Sequence, residues 1–237
     1  MKILALDSSG LVASVAIVED DVVVAEYTTD FKKTHSQTLL PMLDEIVRMT
    51  ELDLKEIDAI AVSAGPGSFT GLRIGSATAK GLGLALDKPL IGIPTVDALA
   101  FNLYGTDKLI CPIMDARRSQ VYTGLYEYVN NTFTVLKEQR AITIAELLEE
   151  LKGMKREVIF LGDGVPVHRE VIKETLRDNC SFAPAHVSKQ RAAAVGVLGT
   201  IYFAEGKVES AKEHEPEYLR VSQAERELAE RMAKESK

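Results

Sequence analysis

The sequence predicts a duplicated two-lobe α/β fold with mixed sheets, each lobe beginning β-β-β-α-β-α. Three observations lead there. Both halves open with an apolar strand that ends in aspartate, turns through polar residues and returns: Leu4-Ala5-Leu6-Asp7-Ser8-Ser9-Gly10 and Pro112-Ile113-Met114-Asp115-Ala116-Arg117-Arg118. The order of elements that follows is the same in each half. The hairpins demand antiparallel pairs, whereas strands separated by helices demand parallel ones, so each sheet mixes both.

In the first half, residues 3–6 form a short apolar run. Residues 11–18 and 22–27 are β-branched segments separated by Glu19-Asp20-Asp21, which reads as strands joined by tight turns. Residues 36–49 carry Leu39, Leu43, Ile46 and Val47 on one helical face, broadened by Leu40 and Met42, with Thr34 or Ser36 as cap. A strand at 57–63, a helix at 71–86, a strand at 90–93 and a short helix at 95–104 complete it. In the second half, strands fall at 110–114, 120–128 and 132–136, with Asn130-Asn131 as a turn pair that tolerates positive φ. A helix near 143–151, a strand at 158–161, a helix after Pro166 and an alanine-rich helix at 189–204 follow. The expected lobes are residues 1–104 and 105–206. Residues 207–237 form a charged, partly helical tail anchored by Tyr218-Leu219.

Composition excludes several classes. Lys and Arg number 28 against 35 Asp and Glu, a net charge of −7, so no overall positive field draws nucleic acid or an anionic membrane. Apolar stretches such as 59–62 and 82–86 fall far short of the ~20 residues that span a bilayer. The N-terminus lacks the pattern of a secretory signal, and cytoplasmic residence is the expectation. Cys111 and Cys180 stand far apart, giving neither a disulfide framework nor a zinc knuckle and reading as two buried thiols. His35, His168, His186 and His214 have no partner at ligand spacing, so no tightly held transition metal is expected.

Asp7 at a strand end, followed by Ser8, Ser9 and Gly10, offers a carboxylate and two hydroxyls beside backbone N–H groups. That is a workable phosphate or Mg²⁺ cradle, or simply an Asx turn. The matching second turn has no glycine. Arg117 and Arg118 there either clamp an anion or face solvent. The segment Gly65-Pro66-Gly67-Ser68-Phe69-Thr70-Gly71 fails the Rossmann and P-loop templates, leaving an anion seat at a helix N-terminus or a plain strand-to-helix turn. His35 is a base or, more simply, part of a helix start. Gly162-Asp163-Gly164 faces a ligand between the lobes or reverses the chain.

In the helix at 71–86, Gly71, Gly75, Ala79 and Gly83 recur every four residues and form a ridge with almost no side chain, with Leu72 beside it. Glycine inside a helix costs about 1 kcal/mol relative to alanine, so close backbone approach must offset it. The neighbour is either the chain's own sheet or another subunit. The sharper expectation is a partner subunit, with Leu39, Leu43 and Ile46 of the helix at 36–49 sharing the surface.

Met1-Lys2-Ile3-Leu4-Ala5-Leu6-Asp7-Ser8-Ser9, Thr34-His35-Ser36-Gln37 with Leu39-Leu40-Pro41, residues 65–75 and Met114-Asp115-Ala116-Arg117 together resemble the bacterial TsaB (YeaZ) family of tRNA threonylcarbamoyladenosine biosynthesis proteins. Glu217-Tyr218-Leu219-Arg220 is similar to the family's C-terminal signature. The resemblance implies the two-lobe actin-like ATPase (ASKHA) fold. It also implies a noncatalytic role beside the metal-bearing paralogue TsaD, which transfers threonylcarbamoyl to N6 of adenosine 37 in tRNAs reading ANN codons. The ATPase TsaE completes the assembly, and tRNA is reached through the complex. Family dimers associate through N-terminal-lobe helices, here those near 36–49 and 71–86, which makes a homodimer the expectation for the isolated chain. No cofactor is expected to be required, although a nucleotide (ATP or ADP) at a subunit interface fits the resemblance. Asp7, Ser8 and Ser9 stand as a degenerate phosphate turn. The alternatives are an actin-fold ATPase or phosphotransferase using Asp7, and a glycoprotease-like peptidase.

Overall fold

The computed structural model describes residues 1–31 and 34–220. The first sheet combines β1 (Lys2–Asp7), β2 (Ala13–Glu19), β3 (Val22–Thr29), β4 (Ala59–Gly65) and β5 (Leu90–Pro94) in the order β3-β2-β1-β4-β5. The second combines β6 (Leu109–Asp115), β7 (Gln120–Val129), β8 (Thr132–Thr143), β9 (Val158–Leu161) and β10 (Cys180–Phe182) in the order β10-β9-β6-β7-β8. These are one topology used twice. β1 pairs antiparallel with β2 and parallel with β4, and β6 pairs antiparallel with β7 and parallel with β9. The central strands are continuously apolar because both of their faces are covered, whereas β3, at a sheet edge, leaves Val22, Val23 and Val24 exposed.

Helices α1 (His35–Thr50) and α2 (Phe69–Leu86) cover one face of the first sheet, where Leu39, Leu43, Ile46 and Ala79 pack with Leu4, Leu6 and Ile60. Helices α4 (Ile144–Met154) and α5 (Val165–Leu176) cover the second sheet in the same way. Thr143 and Glu146 form a reciprocal capping box that fixes the start of α4. The last helix of each repeat crosses over. Helix α3 (Thr95–Phe101) lies between the lobes, with Val96, Leu99 and Ala100 packed on Ile110, Met114 and Tyr126 of the second sheet. Helix α6 (Ala192–Ala204) puts Ala192, Val195 and Leu198 on Ile3, Ala61 and Ile91 of the first sheet. The two lobes therefore share their final helices: α3 also carries Ala98 into the core that α6 forms on the first sheet. A helix's apolar face dictates that it be covered, but not by which sheet.

Two further points concern elements. The strand β10 goes beyond the elements expected from the sequence, being only three residues long. Residues 207–220 contain no helix; they run as turns and extended chain over the first lobe, and residues 221–237 lie outside the described residues. Cys111 is buried and Cys180 half-buried. No helix among the described residues is long and apolar enough to cross a membrane.

The crossing of α3 buries a titratable pair. Tyr126 donates its hydroxyl to Asp97 Oδ1 at 2.7 Å. Burial pushes the Asp97 carboxyl up to about 6; the Tyr126 hydrogen bond opposes the rise, and the nearby Glu138 and Glu217 add to it. Because the folded value lies above the ordinary 3.8, the native state holds the proton more tightly than the unfolded chain. This group's contribution is therefore most favourable below about pH 4 and declines as pH rises toward 7. Asp97→Asn, which retains an acceptor for Tyr126, is expected to match or fall below the parent near pH 4 and to exceed it by about 2 kcal/mol at pH 7.5. Urea unfolding of both proteins at the two pH values checks this, and a difference independent of pH would contradict it.

Candidate functional site

A cleft of about 760 Å³ opens between the lobes. Its first-lobe wall carries the turn after β1, the start of α1 and the turn into α2. Its second-lobe wall carries the turn after β6 and Asp163, and residues 217–220 close one side.

The turn after β1 is self-contained. Asp7 is fully buried; its Oδ1 accepts from Ser9 N at 2.9 Å and from Ser9 Oγ at 2.7 Å, and its Oδ2 accepts from Ser63 Oγ on β4 at 2.6 Å. Burial raises the Asp7 pKa, and the hydrogen bonds from Ser63 and Ser9 oppose the rise. Ser8 Oγ donates to Gly71 O at 2.8 Å, so of the three residues expected to cradle a phosphate only Ser9 reaches the cleft wall. The geometry is an Asx turn pinned from beneath. Ser68 N donates to Ser9 O at 2.7 Å, and the Ser68 hydroxyl caps α2 by accepting from Gly71 N at 3.3 Å. His35 Nε2 lies 2.9 Å from Gly10 O, which ties the start of α1 to the same turn.

The turn after β6 is built differently. Asp115 Oδ1 accepts from Arg117 N at 2.8 Å and Oδ2 meets Arg117 Nη1 at 3.1 Å, while Asp163 Oδ1 accepts from Asp115 N at 3.1 Å. Arg117, Arg118 and Ser119 all take left-handed backbone, with φ of 65°, 54° and 57°. Such a run is costly without glycine and persists because Gln120 N returns to Arg117 O and Ile144 N reaches Ser119 O. Burial raises the Asp163 pKa, with the neighbouring Asp115 charge adding to it. Among the described residues no three or more His, Cys, Asp or Glu side chains are grouped to hold a metal ion.

The residues expected at a partner interface are buried within the first lobe. Leu39, Leu43, Ile46, Leu72 and Ala79 are buried in the first lobe's own core, and Gly71, Gly75 and Gly83 are buried with them. A Cβ on Gly71 would stand 2.1 Å from Ser8 O, one on Gly75 2.5 Å from Ser8 Oγ, and one on Gly83 2.4 Å from Leu90 Cδ1. The ridge therefore packs on the chain's own sheet and turn. The smooth surface exists so that α2 can lie against the turn after β1.

Residues 217–220 contribute more to the cleft than the sequence indicates. Tyr218 packs on Phe69 with ring centroids 4.6 Å apart, and the Arg73 guanidinium lies over the same ring at 4.1 Å from its centroid. The sequence signals this as an apolar pair in a charged tail and as the C-terminal segment of the family resemblance.

A family model described as TsaD, tRNA N6-adenosine threonylcarbamoyltransferase, matches residues 23–228. The tRNA threonylcarbamoyladenosine biosynthesis protein TsaB of Bacillus subtilis (strain 168) is 36% identical over 227 residues, covering 95% of this chain and 96% of the relative. The TsaB of Escherichia coli (strain K12) is 33% identical, covering 93% and 95%. Among solved structures, YeaZ from Pseudomonas aeruginosa aligns with a TM-score of 0.75 at 24% identity, over 92% of this chain and 99% of that one. This likeness supports the two-lobe actin-like fold. With both lobes matched and the strand-end aspartate turns in place, the chain belongs to the TsaB (YeaZ) family.

Proposed function

We propose that this protein is the noncatalytic subunit of the assembly that forms N6-threonylcarbamoyladenosine at position 37 of tRNAs reading ANN codons, partnering a TsaD paralogue in the cytoplasm. TsaE completes that assembly, and tRNA is engaged through the complex. The observation that carries the noncatalytic reading is the Asp7 turn. Both carboxylate oxygens are engaged by Ser9 and Ser63 beneath the cleft floor, so the group an actin-fold ATPase would use is consumed in holding the chain together. The protein then needs no cofactor of its own, and a nucleotide at the subunit interface would draw its contacts from the partner as well.

With the glycine ridge turned inward, the partner-facing surface is the opposite side of the same helices. Leu40 and Met49 of α1 and Leu84 of α2 are 55%, 62% and 57% exposed, and Ala77, Gly81 and Ala85 form a second row of small residues on the exposed side of α2. The same face serves self-association of the isolated chain. Ala77→Glu would place a charge in that contact and is expected to weaken association with TsaD about 5-fold to 150-fold, the equivalent of roughly 1 to 3 kcal/mol, with an unchanged melting curve. Sedimentation with and without TsaD reads the effect, and reconstitution with TsaD and TsaE reads threonylcarbamoyl transfer to tRNA. Full transfer activity without this chain, or ATP turnover by the chain alone, would overturn the proposal.

A further inference from the structure

After α6, which already lies on the first sheet, the chain continues across the first lobe. Glu209 forms a bridge with Leu90 at the end of the first sheet. Lys80 Nζ of α2 donates to Lys212 O at 3.1 Å and to His214 O at 2.7 Å, and His214 is buried against the Glu209 carboxylate at 2.7 Å. Glu217 N then donates to Ala64 O at 2.7 Å. Gly65, at φ 128°, makes room for this crossing: a Cβ there would lie 2.1 Å from Glu217 O. Up to Tyr218, which rests on Phe69, these anchors are all in the first lobe.

The next contacts lie in the other lobe. Gln139 Nε2 of β8 donates to Glu217 Oε2 at 3.0 Å, and Arg220 Nη1 donates to Ala116 O in the left-handed turn after β6. The exchanged helices α3 and α6 also join the two lobes and form the hinge side of the molecule. We infer that residues 207–220 are a strap that sets the aperture of the interlobe cleft, anchored along the first lobe and latched to the second by Glu217 and Arg220. The latch consists of two hydrogen bonds, each with one charged partner, the Gln139–Glu217 bond at exposed positions and the Arg220–Ala116 bond partly buried. Such contacts are weak enough to release while the anchored part stays in place. Released, the lobes turn about the α3 and α6 crossings and the cleft widens.

The test uses the isolated full chain, with spin labels at Asp44→Cys on α1 and Glu174→Cys on α5 in a Cys180→Ser background, read by pulsed electron resonance. The parent is expected to give a narrow distance distribution. Arg220→Ala, and more strongly Arg220→Ala with Gln139→Ala, should shift and broaden it toward longer distance, while the melting temperature stays near that of the parent. Arg220→Ala alone guards against effects of Gln139 on α3, because Gln139 Oε1 also reaches Val96 N. Tyr218→Phe keeps the ring on Phe69 and should leave the distribution unchanged. Superimposable distributions in the parent and both latch variants would overturn the strap, as would equal broadening in Tyr218→Phe.

Discussion

Asp7→Ala is expected to lower stability by about 3 to 5 kcal/mol, although the residue sits at a strand end in a turn. Three donors, Ser9 N, Ser9 Oγ and Ser63 Oγ, converge on its carboxylate in a fully buried position. Alanine strands all three, and a buried donor without an acceptor costs about 1 to 3 kcal/mol. Rotation of the two hydroxyls recovers part of the loss. A second effect opposes it: burial raises the Asp7 pKa, so at neutral pH the ionised carboxylate is itself unfavourable there, and removing it relieves that cost. Asp7→Asn separates the two effects. Its amide oxygen can still accept from Ser9, its charge is gone, and it should stay within about 1 kcal/mol of the parent at pH 7.5. The sign with pH follows from the raised value: the native state binds the proton more tightly, so the parent loses this group's contribution as pH rises, whereas Asp7→Asn does not. Chemical denaturation of the three proteins at pH 5 and 7.5 measures both effects. A parent-like Asp7→Ala would mean that the hydrogen-bonded turn contributes nothing to the fold.

The burial of Asp7 shows where reading the sequence stops. A strand-end Asp-Ser-Ser-Gly looks the same whether its carboxylate opens to a ligand or turns down into the lobe. The residue that decides the matter, Ser63, is on a different strand 56 positions away. The duplicated order is legible because it rests on local periodicity and on two similar strand-Asp-turn segments, Leu4 to Gly10 and Pro112 to Arg118. What is not legible is long-range. The exchange of α3 and α6 depends on which sheet their apolar faces meet, and β10 has only Cys180, Ser181 and Phe182 to announce it. Residues 207–220 are held by backbone bonds, a lysine reaching carbonyls and one aromatic ring, none of which leaves a periodic trace. The missing glycine of the second aspartate turn is visible in the sequence, but the left-handed backbone of its arginines is not. Asp115, Gln120 and Ile144 enforce that shape from both flanks.

Ala79→Leu is expected to destabilise the monomer by about 3 kcal/mol, whereas Gly81→Ala on the same helix should stabilise it. Ala79 is 0% exposed and packs among Leu4, Ile60 and Leu90 in a core with no space for three further carbons, so the branched side chain must displace α2 or distort its neighbours. Helix propensity offers no compensation, since alanine is already the best helix former. Gly71→Ala should fail for a related reason. Its Cβ would stand 2.1 Å from the carbonyl oxygen of Ser8, a backbone atom of a turn that Asp7 and Ser68 already hold, so neither side can yield cheaply. At Gly81 an added Cβ would meet nothing within 4 Å, and the backbone there is ordinary helix, so alanine keeps the full advantage of about 0.5 to 1 kcal/mol over glycine. The pair thus reads the orientation of the helix directly. If the ridge of Gly71, Gly75, Ala79 and Gly83 met another subunit, Ala79→Leu would leave the melting curve of the dilute monomer alone and weaken only association. With the ridge against the first sheet, the melting temperature falls at every protein concentration, and urea unfolding shows the loss without TsaD present.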